Sequence, residues 1–206
     1  MCFSHILNSL ARAGILGLAS ALRLQESISK GTSILIVARD FPSDESINYA
    51  SPWAGAHYRP VPATNPQLLR EHAFAEVTLK TLKQQVATEP EAGIVFLDGY
   101  EYLQTLPEAY RDLAGGYADI DEFRLVDKTE LPEGMVWGAK YKTWCLNSPV
   151  YCAHLLRKFV LRGGKKLRYT LSSPYEAFTL AANVSTVVNC SGVGFGDPKN
   201  FITRGV

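Results

Sequence analysis

Two kinds of hydrophobic spacing alternate along the chain, and each predicts a different element. Residues 13–26 are rich in Ala and Leu and contain no proline, so they read as a helix with Leu16, Ala19, Ser20 and Leu24 falling on one side. Lys30-Gly31-Thr32 breaks it. Ser33 to Ala38 is then a short uninterrupted apolar run, the pattern of a strand buried on both faces. Helix followed by buried strand is half of a βαβ unit, so a strand is expected before Gly14. The stretch from Ser4 to Leu10 is a poor one, with Asn8 and Ser9 where a central strand would be apolar. It equally suits an upstream extension of the helix.

Further along, Pro60, Pro62 and Pro66 lead into a helix over about 67–88, followed by a short apolar strand over 92–96. Residues 97–138 are polar and turn-rich, and 140–145 reads as a strand. Ser148 as cap and Pro149 in the first turn open a helix to Arg162, which Gly163-Gly164 ends. Strands over 166–172 and 186–190 follow. The order predicts an α/β fold: one nucleotide-binding layer of mainly parallel sheet with helices, interrupted by an α+β insertion. As a domain map, 1–206 is one domain, with 1–60 and 146–206 forming the nucleotide-binding part and 61–145 the insertion.

Composition narrows the partners more than the fold. The chain has 206 residues, 47% hydrophobic and 20% charged, an ordinary globular balance. Lys+Arg 21 against Asp+Glu 20 leaves a formal net charge of +1, so there is no electrostatic ground for nucleic acid or an anionic membrane as partner. The uncharged apolar stretch from Ala13 to Leu22 is too short for a bilayer, which needs about 20 residues. Cys2, Cys145, Cys152 and Cys190 form neither a metal-binding pair nor a disulfide framework; they are expected as reduced thiols, with no metal site.

The chemistry sits in three places. Arg12-Ala13-Gly14-Ile15-Leu16-Gly17 occupies the frame of a GxGxxG dinucleotide turn, with its second and third glycines present and Arg12 at the first. The helix N-terminus after Gly14 can still offer N–H groups to phosphate. Arg39-Asp40 ends the predicted second strand, where a carboxylate meets a ribose hydroxyl in such folds. Tyr49-Ala50-Ser51-Pro52-Trp53-Ala54-Gly55-Ala56-His57-Tyr58-Arg59-Pro60 combines small residues with aromatics, which suits a planar ring lying against main-chain N–H groups. Elsewhere His5, His72 and His154 are isolated, Asp119, Asp121 and Glu122 read as a solvated loop, and Trp137, Tyr141 and Trp144 as core aromatics. Arg162, Lys165, Lys166 and Arg168 read as a basic surface turn.

The loop from Ser51 to Pro60 resembles the flavin-contacting loop of the D-amino acid oxidase family. Gly14-Ile15-Leu16-Gly17-Leu18, Ala38-Arg39-Asp40-Phe41-Pro42 and Val187-Val188-Asn189-Cys190-Ser191-Gly192-Val193-Gly194 resemble its phosphate turn, second-strand end and return strand, in order, over about residues 13–205. The resemblance implies a Rossmann-like FAD-binding layer, with the insertion belonging to the substrate lobe. It implies Ala13, Gly14, Leu16 and Gly17 at the diphosphate, and Arg39 and Asp40 at the adenosine. It puts Ala50, Ser51, Gly55 and His57 along the ribityl chain and ring, Leu171 at adenine by its backbone, and Ser191 and Gly192 near the cofactor turn.

The implied cofactor is FAD. The implied reaction is oxidative deamination of a D-amino acid by oxygen to a 2-oxo acid, ammonia and hydrogen peroxide. A homodimer is compatible with it. The family's substrate-gripping arginine and tyrosines, and a second glycine-rich segment, lie beyond the Arg204-Gly205-Val206 end, so the catalytic residues are unknown and the domain is expected to be incomplete. The alternative expectation is a truncated, non-catalytic relative produced by splicing or a gene-model error. Family resemblance implies a peroxisomal setting, yet the chain carries no terminal Ser-Lys-Leu; the other expectation is cytoplasmic.

Overall fold

A computed structural model describes residues 7–11 (main chain only), 13–28, 32–182, 184–192 and 195. In chain order its elements are β1 (Leu7–Ala11), α1 (Ile15–Ser27), β2 (Ser33–Ala38), α2 (Pro66–Thr88), β3 (Ile94–Leu103), the single turn α3 (Glu108–Arg111), β4 (Arg124–Leu125), β5 (Trp137–Leu146), α4 (Ser148–Leu161), β6 (Lys165–Arg168) and β7 (Val184–Asn189). They fall into two compact units. One is drawn from residues up to Ala54 and from Ser148 onward; the other is Gly55–Asn147.

The first unit carries a parallel sheet of order β6-β2-β1-β7. The strand expected before Gly14 is present from Leu7, so the alternative of an upstream helical extension fails for residues 7–11; residues 4–6 lie outside the described residues. Pairing on both edges, Leu7 with Ser33 and Val184, lets Asn8 and Ser9 take strand conformation despite weak propensity. All of Ile34 to Ala38 is buried, as expected of a strand covered on both faces. The chain leaves β1 for β2 on one side, while β7 pairs on the other. The carboxyl ends of β1 and β7 therefore frame a topological switch point, the place where open α/β sheets bind ligands.

One expectation for α1 needs correction. Its buried face is Gly17, Leu18, Ala21 and Leu22, whereas Leu16 is 66% exposed and Ala19 is exposed. The helix is apolar nearly all round, so spacing alone does not select a face. Packing against α4 and β2 selects it, and small residues on the packed side allow close approach. Across from it α4 buries Tyr151, Cys152, Leu155 and Phe159. Gly164 lets the chain turn off α4, because a Cβ there would lie 2.3 Å from the fully buried Phe159 ring.

The second unit is built on the antiparallel pair β3–β5, in register from Ile94↔Leu146 to Leu103↔Trp137, with β4 on the other edge of β5. Both long strands exceed their expected spans. Asp98, Gly99 and Glu101 interrupt any apolar run in β3, and Gly99 is needed because a Cβ would sit 2.8 Å from the Tyr141 ring. The core of this unit is Tyr117, Trp137, Ala139 and Tyr141. Tyr110 meets Tyr117 edge-on at 5.3 Å and Trp137 at 5.5 Å. Trp144, expected in the core, is only half-buried and stacks on Tyr58 at 5.4 Å. Glu101 is buried among the rings, 6% exposed, and accepts from the Tyr117 hydroxyl at 2.6 Å and from Tyr110 at 3.2 Å. Asp121, read as part of a solvated loop, pairs with Lys83 on α2.

Among the described residues no helix is long and apolar enough to cross a membrane, and no group of three metal-ligating side chains occurs. Two outcomes follow from the buried polar groups. Tyr117→Phe leaves one Glu101 oxygen without its donor and is expected to lower unfolding free energy by about 1–3 kcal/mol, read by urea titration. Burial pushes the Cys152 thiol up from 9.0 to about 11. The folded chain therefore holds it neutral where the unfolded chain ionises it, and this contribution to stability is lost as pH rises from 9 toward 11. A thiol reagent at about pH 8 is expected to label Cys152 only after denaturant is added.

Candidate functional site

The first turn of α1 opens at the carboxyl edge of the parallel sheet. Gly14 is its N-cap in extended conformation and brings no side chain to the cap. The cap comes from another segment: Ile15 N–H donates to Ser51 Oγ at 2.9 Å. Leu18 N–H closes the turn on the Gly14 carbonyl at 2.9 Å. The N–H groups of Leu16 and Gly17 have no intrahelical partner, as at any helix start. The first turn holds no acidic residue, so the positive end of the helix dipole faces no competing carboxylate from it. A Cβ on Gly14 would lie 2.9 Å from Ser51 Oγ, so glycine is what permits this approach.

The loop that supplies Ser51 is fixed at several points. Tyr49 is buried and donates its hydroxyl to the Ala13 carbonyl at 2.6 Å. Residues Ser51–Trp53 form a single 3-10 turn packed on α4. Ser148 Oγ, at the start of α4, donates to the Ala54 carbonyl at 2.9 Å. Trp53 Nε1 donates to the Ser46 carbonyl at 3.2 Å and leaves the indole largely exposed.

At the end of β2, Arg39 donates twice to one oxygen of Asp40, at 2.9 and 2.7 Å. Arg168, expected on a plain surface turn, instead donates to the Arg39 carbonyl at 2.8 Å and pairs with Asp44. That guanidinium, with the Phe41 N–H, holds the Asp44 carboxyl below its usual range. Lys166 and Arg168 both lie over the Phe41 ring at 5.5 Å. Leu171 is half-buried and packs on Leu35 and Val37 of β2.

Ala13, Gly14, Leu16, Gly17, Ala50 and Ser51 thus gather around one turn, with Arg39, Asp40 and Leu171 around the end of β2 in the same unit. Gly55 and His57 belong to the second unit. There Gly55 has open space on its Cβ side, and exposed His57 forms an isolated antiparallel bridge with Cys145. Sequence reasoning passed over two groups. Nothing in local spacing says that the Tyr49 hydroxyl reaches a carbonyl 36 residues away. Nor does it say that Glu101 is a buried acceptor, because the residue falls in a stretch that reads as polar and turn-rich.

The donor set fits a dinucleotide such as FAD. Ser191, 3% exposed just after β7, has a buried Oγ with no hydrogen-bond partner among the described residues. It follows the strand end that pairs Asn189 with Ala11 of β1. An orphaned hydroxyl and the N-terminal turn of a helix on one sheet edge suit a polar, anionic ligand.

Comparison with known proteins agrees. A family model described as FAD dependent oxidoreductase, DAO, matches residues 13–203. A D-aspartate oxidase from Talaromyces thermophilus is 42% identical over 215 aligned positions, covering 94% of this chain and 58% of that protein. A D-amino-acid oxidase from Schizosaccharomyces pombe is 29% identical, covering 94% of this chain and 56% of its own length. The chain therefore spans a little over half the length of these relatives. Among solved structures, L-amino acid deaminase from Proteus myxofaciens superposes with a TM-score of 0.57 at 16% identity, over 79% of this chain and 38% of that one. L-proline dehydrogenase from P. horikoshii does so with 0.56 at 14%, over 80% and 44%. These structures share the fold, a parallel-sheet α/β layer with helices. The chain belongs to the DAO family of FAD-dependent oxidoreductases.

Proposed function

We propose that the parallel-sheet unit holds FAD and that the protein oxidises D-amino acids, yielding a 2-oxo acid, ammonia and hydrogen peroxide with oxygen as acceptor. The observation that carries the proposal is the first turn of α1, whose Leu16 and Gly17 N–H groups lack intrahelical partners beside a sheet edge that also bears the orphaned Ser191 hydroxyl. In this reading these N–H groups bind the diphosphate. Asp40, already oriented by Arg39, takes a ribose hydroxyl of the adenosine, and the Leu171 main chain meets adenine. Ala50 and Ser51 of this unit, by resemblance to the family, line the ribityl chain and ring. FAD when bound supplies the hydride acceptor; the residues here bind and orient it. A peroxisomal setting and a homodimer belong to the same proposal and rest on resemblance to the family.

D-aspartate is the first substrate to test, because the 42% identical relative carries that name. The purified chain is expected to retain FAD, seen as flavin bands in its visible spectrum, and anaerobic D-aspartate is expected to bleach them while L-aspartate does not. A chain that takes up no flavin, even with FAD added in excess, would sink the cofactor reading. Bleaching by L-aspartate in preference would sink the substrate reading. Gly14→Ala is expected to push Ser51 Oγ off the Ile15 N–H and weaken FAD binding about tenfold, equivalent to about 1.4 kcal/mol, in a flavin fluorescence titration.

A further inference from the structure

Two hydrogen bonds reach the turn before α1 from one short loop, and neither belongs to regular secondary structure. Tyr49 Oη donates to the Ala13 carbonyl at 2.6 Å, and Ser51 Oγ accepts the Ile15 N–H at 2.9 Å. The Ala13 carbonyl belongs to the peptide plane that precedes Gly14, and the Ile15 N–H to the plane that follows it. The only soft torsions between those planes are φ and ψ of Gly14. Glycine has more backbone freedom than any other residue, and a dinucleotide turn needs its peptide groups aimed. Here the first glycine position of the motif holds Arg12, while the two planes around the second glycine are gripped from outside the motif. Ala13 is fully buried and Tyr49 is 5% exposed, so in the intact fold this hydrogen bond is shielded from bulk water.

We infer that Tyr49 is a positioning residue for the cofactor: with Ser51 it pins both peptide planes flanking Gly14, and so presets the α1 turn whose N–H groups receive the diphosphate. The inference rests on the reading that this turn binds FAD. Tyr49 need not touch the ligand; it acts through Ala13. Burial raises its phenol pKa, further from the physiological range in which a phenol is already a neutral donor. Ser51 has a double effect. It satisfies the Ile15 N–H, and it leaves the next two N–H groups as those available to an anion.

The test uses the full 206-residue chain and two measurements. Amide hydrogen exchange is followed without flavin, at Ile15 and Leu18 in the first turn and at Leu22 in the buried middle of α1. FAD affinity is followed by flavin fluorescence. Tyr49→Phe and Ser51→Ala are each expected to speed exchange at Ile15 and Leu18 about tenfold, leave Leu22 unchanged, and weaken FAD binding about tenfold. Ser51→Thr keeps the hydroxyl and is expected to restore both. The double variant is expected to lose no more FAD affinity than either single one, because the two bonds act on one turn. Unchanged exchange at Ile15 in Tyr49→Phe overturns the inference. Faster exchange with unaltered FAD affinity also overturns it, reducing Tyr49 to a structural tie. A wild-type chain that binds no FAD overturns the cofactor reading instead, and the exchange data then decide whether Tyr49 holds the turn.

Discussion

The hydrogen bonds on both edges of β1 are what the rest of the first unit depends on. Parallel strands need crossover connections, so neither neighbour of β1 can be its hairpin partner. Its partners are β2, some 26 residues along, and β7, at the far end of the described chain. That pairing brings Ala11 level with Asn189 and so sets the start of α1 and the Ser191 hydroxyl on one edge. Without it the glycine turn would have no sheet to project from. The Tyr49 and Ser51 bonds would then have nothing fixed to aim at.

How much of this was readable beforehand depends on which forces wrote it. β2 was legible because a strand covered on both faces must be apolar throughout, and Ile34 to Val37 is. The start of α4 was legible because Ser148 and Pro149 are local signals. The buried face of α1 was not. In an Ala- and Leu-rich helix the choice between Leu16 and Leu18 is made by the neighbouring elements, not by the helix. β3 was half legible: Ile94 to Phe96 shows as apolar, but Gly99 and Glu101 are chosen for a ring and two phenols contributed by distant residues.

The candidate site divides the same way. The glycines and Arg39-Asp40 were readable because a backbone turn and a strand end have fixed chemistry at fixed spacing. The side of the site made by Tyr49 is written in a contact across 36 residues, where neither partner's neighbours betray it. In the second unit Glu101 is the counterpart: a carboxylate taken into an aromatic core, where Tyr110 and Tyr117 both turn their hydroxyls to it. Arg59 approaches the same carboxylate at 3.9 Å from a largely exposed position, so the charge is not wholly shut off from a cation.

The division of the chain has a consequence for the order of assembly. Gly55–Asn147 is one continuous stretch whose main ladder, β3 with β5, closes over a modest loop. The parallel sheet is discontinuous, with β1 and β2 made early and β6 and β7 made late. On a ribosome the middle of the chain can collapse while β1 still shows a bare edge and β2 another, waiting on β7 and β6, which follow that middle segment in the chain. Such edges pair readily with other chains. Asn8, of a residue type depleted in strands, keeps β1's own strand propensity low during that wait.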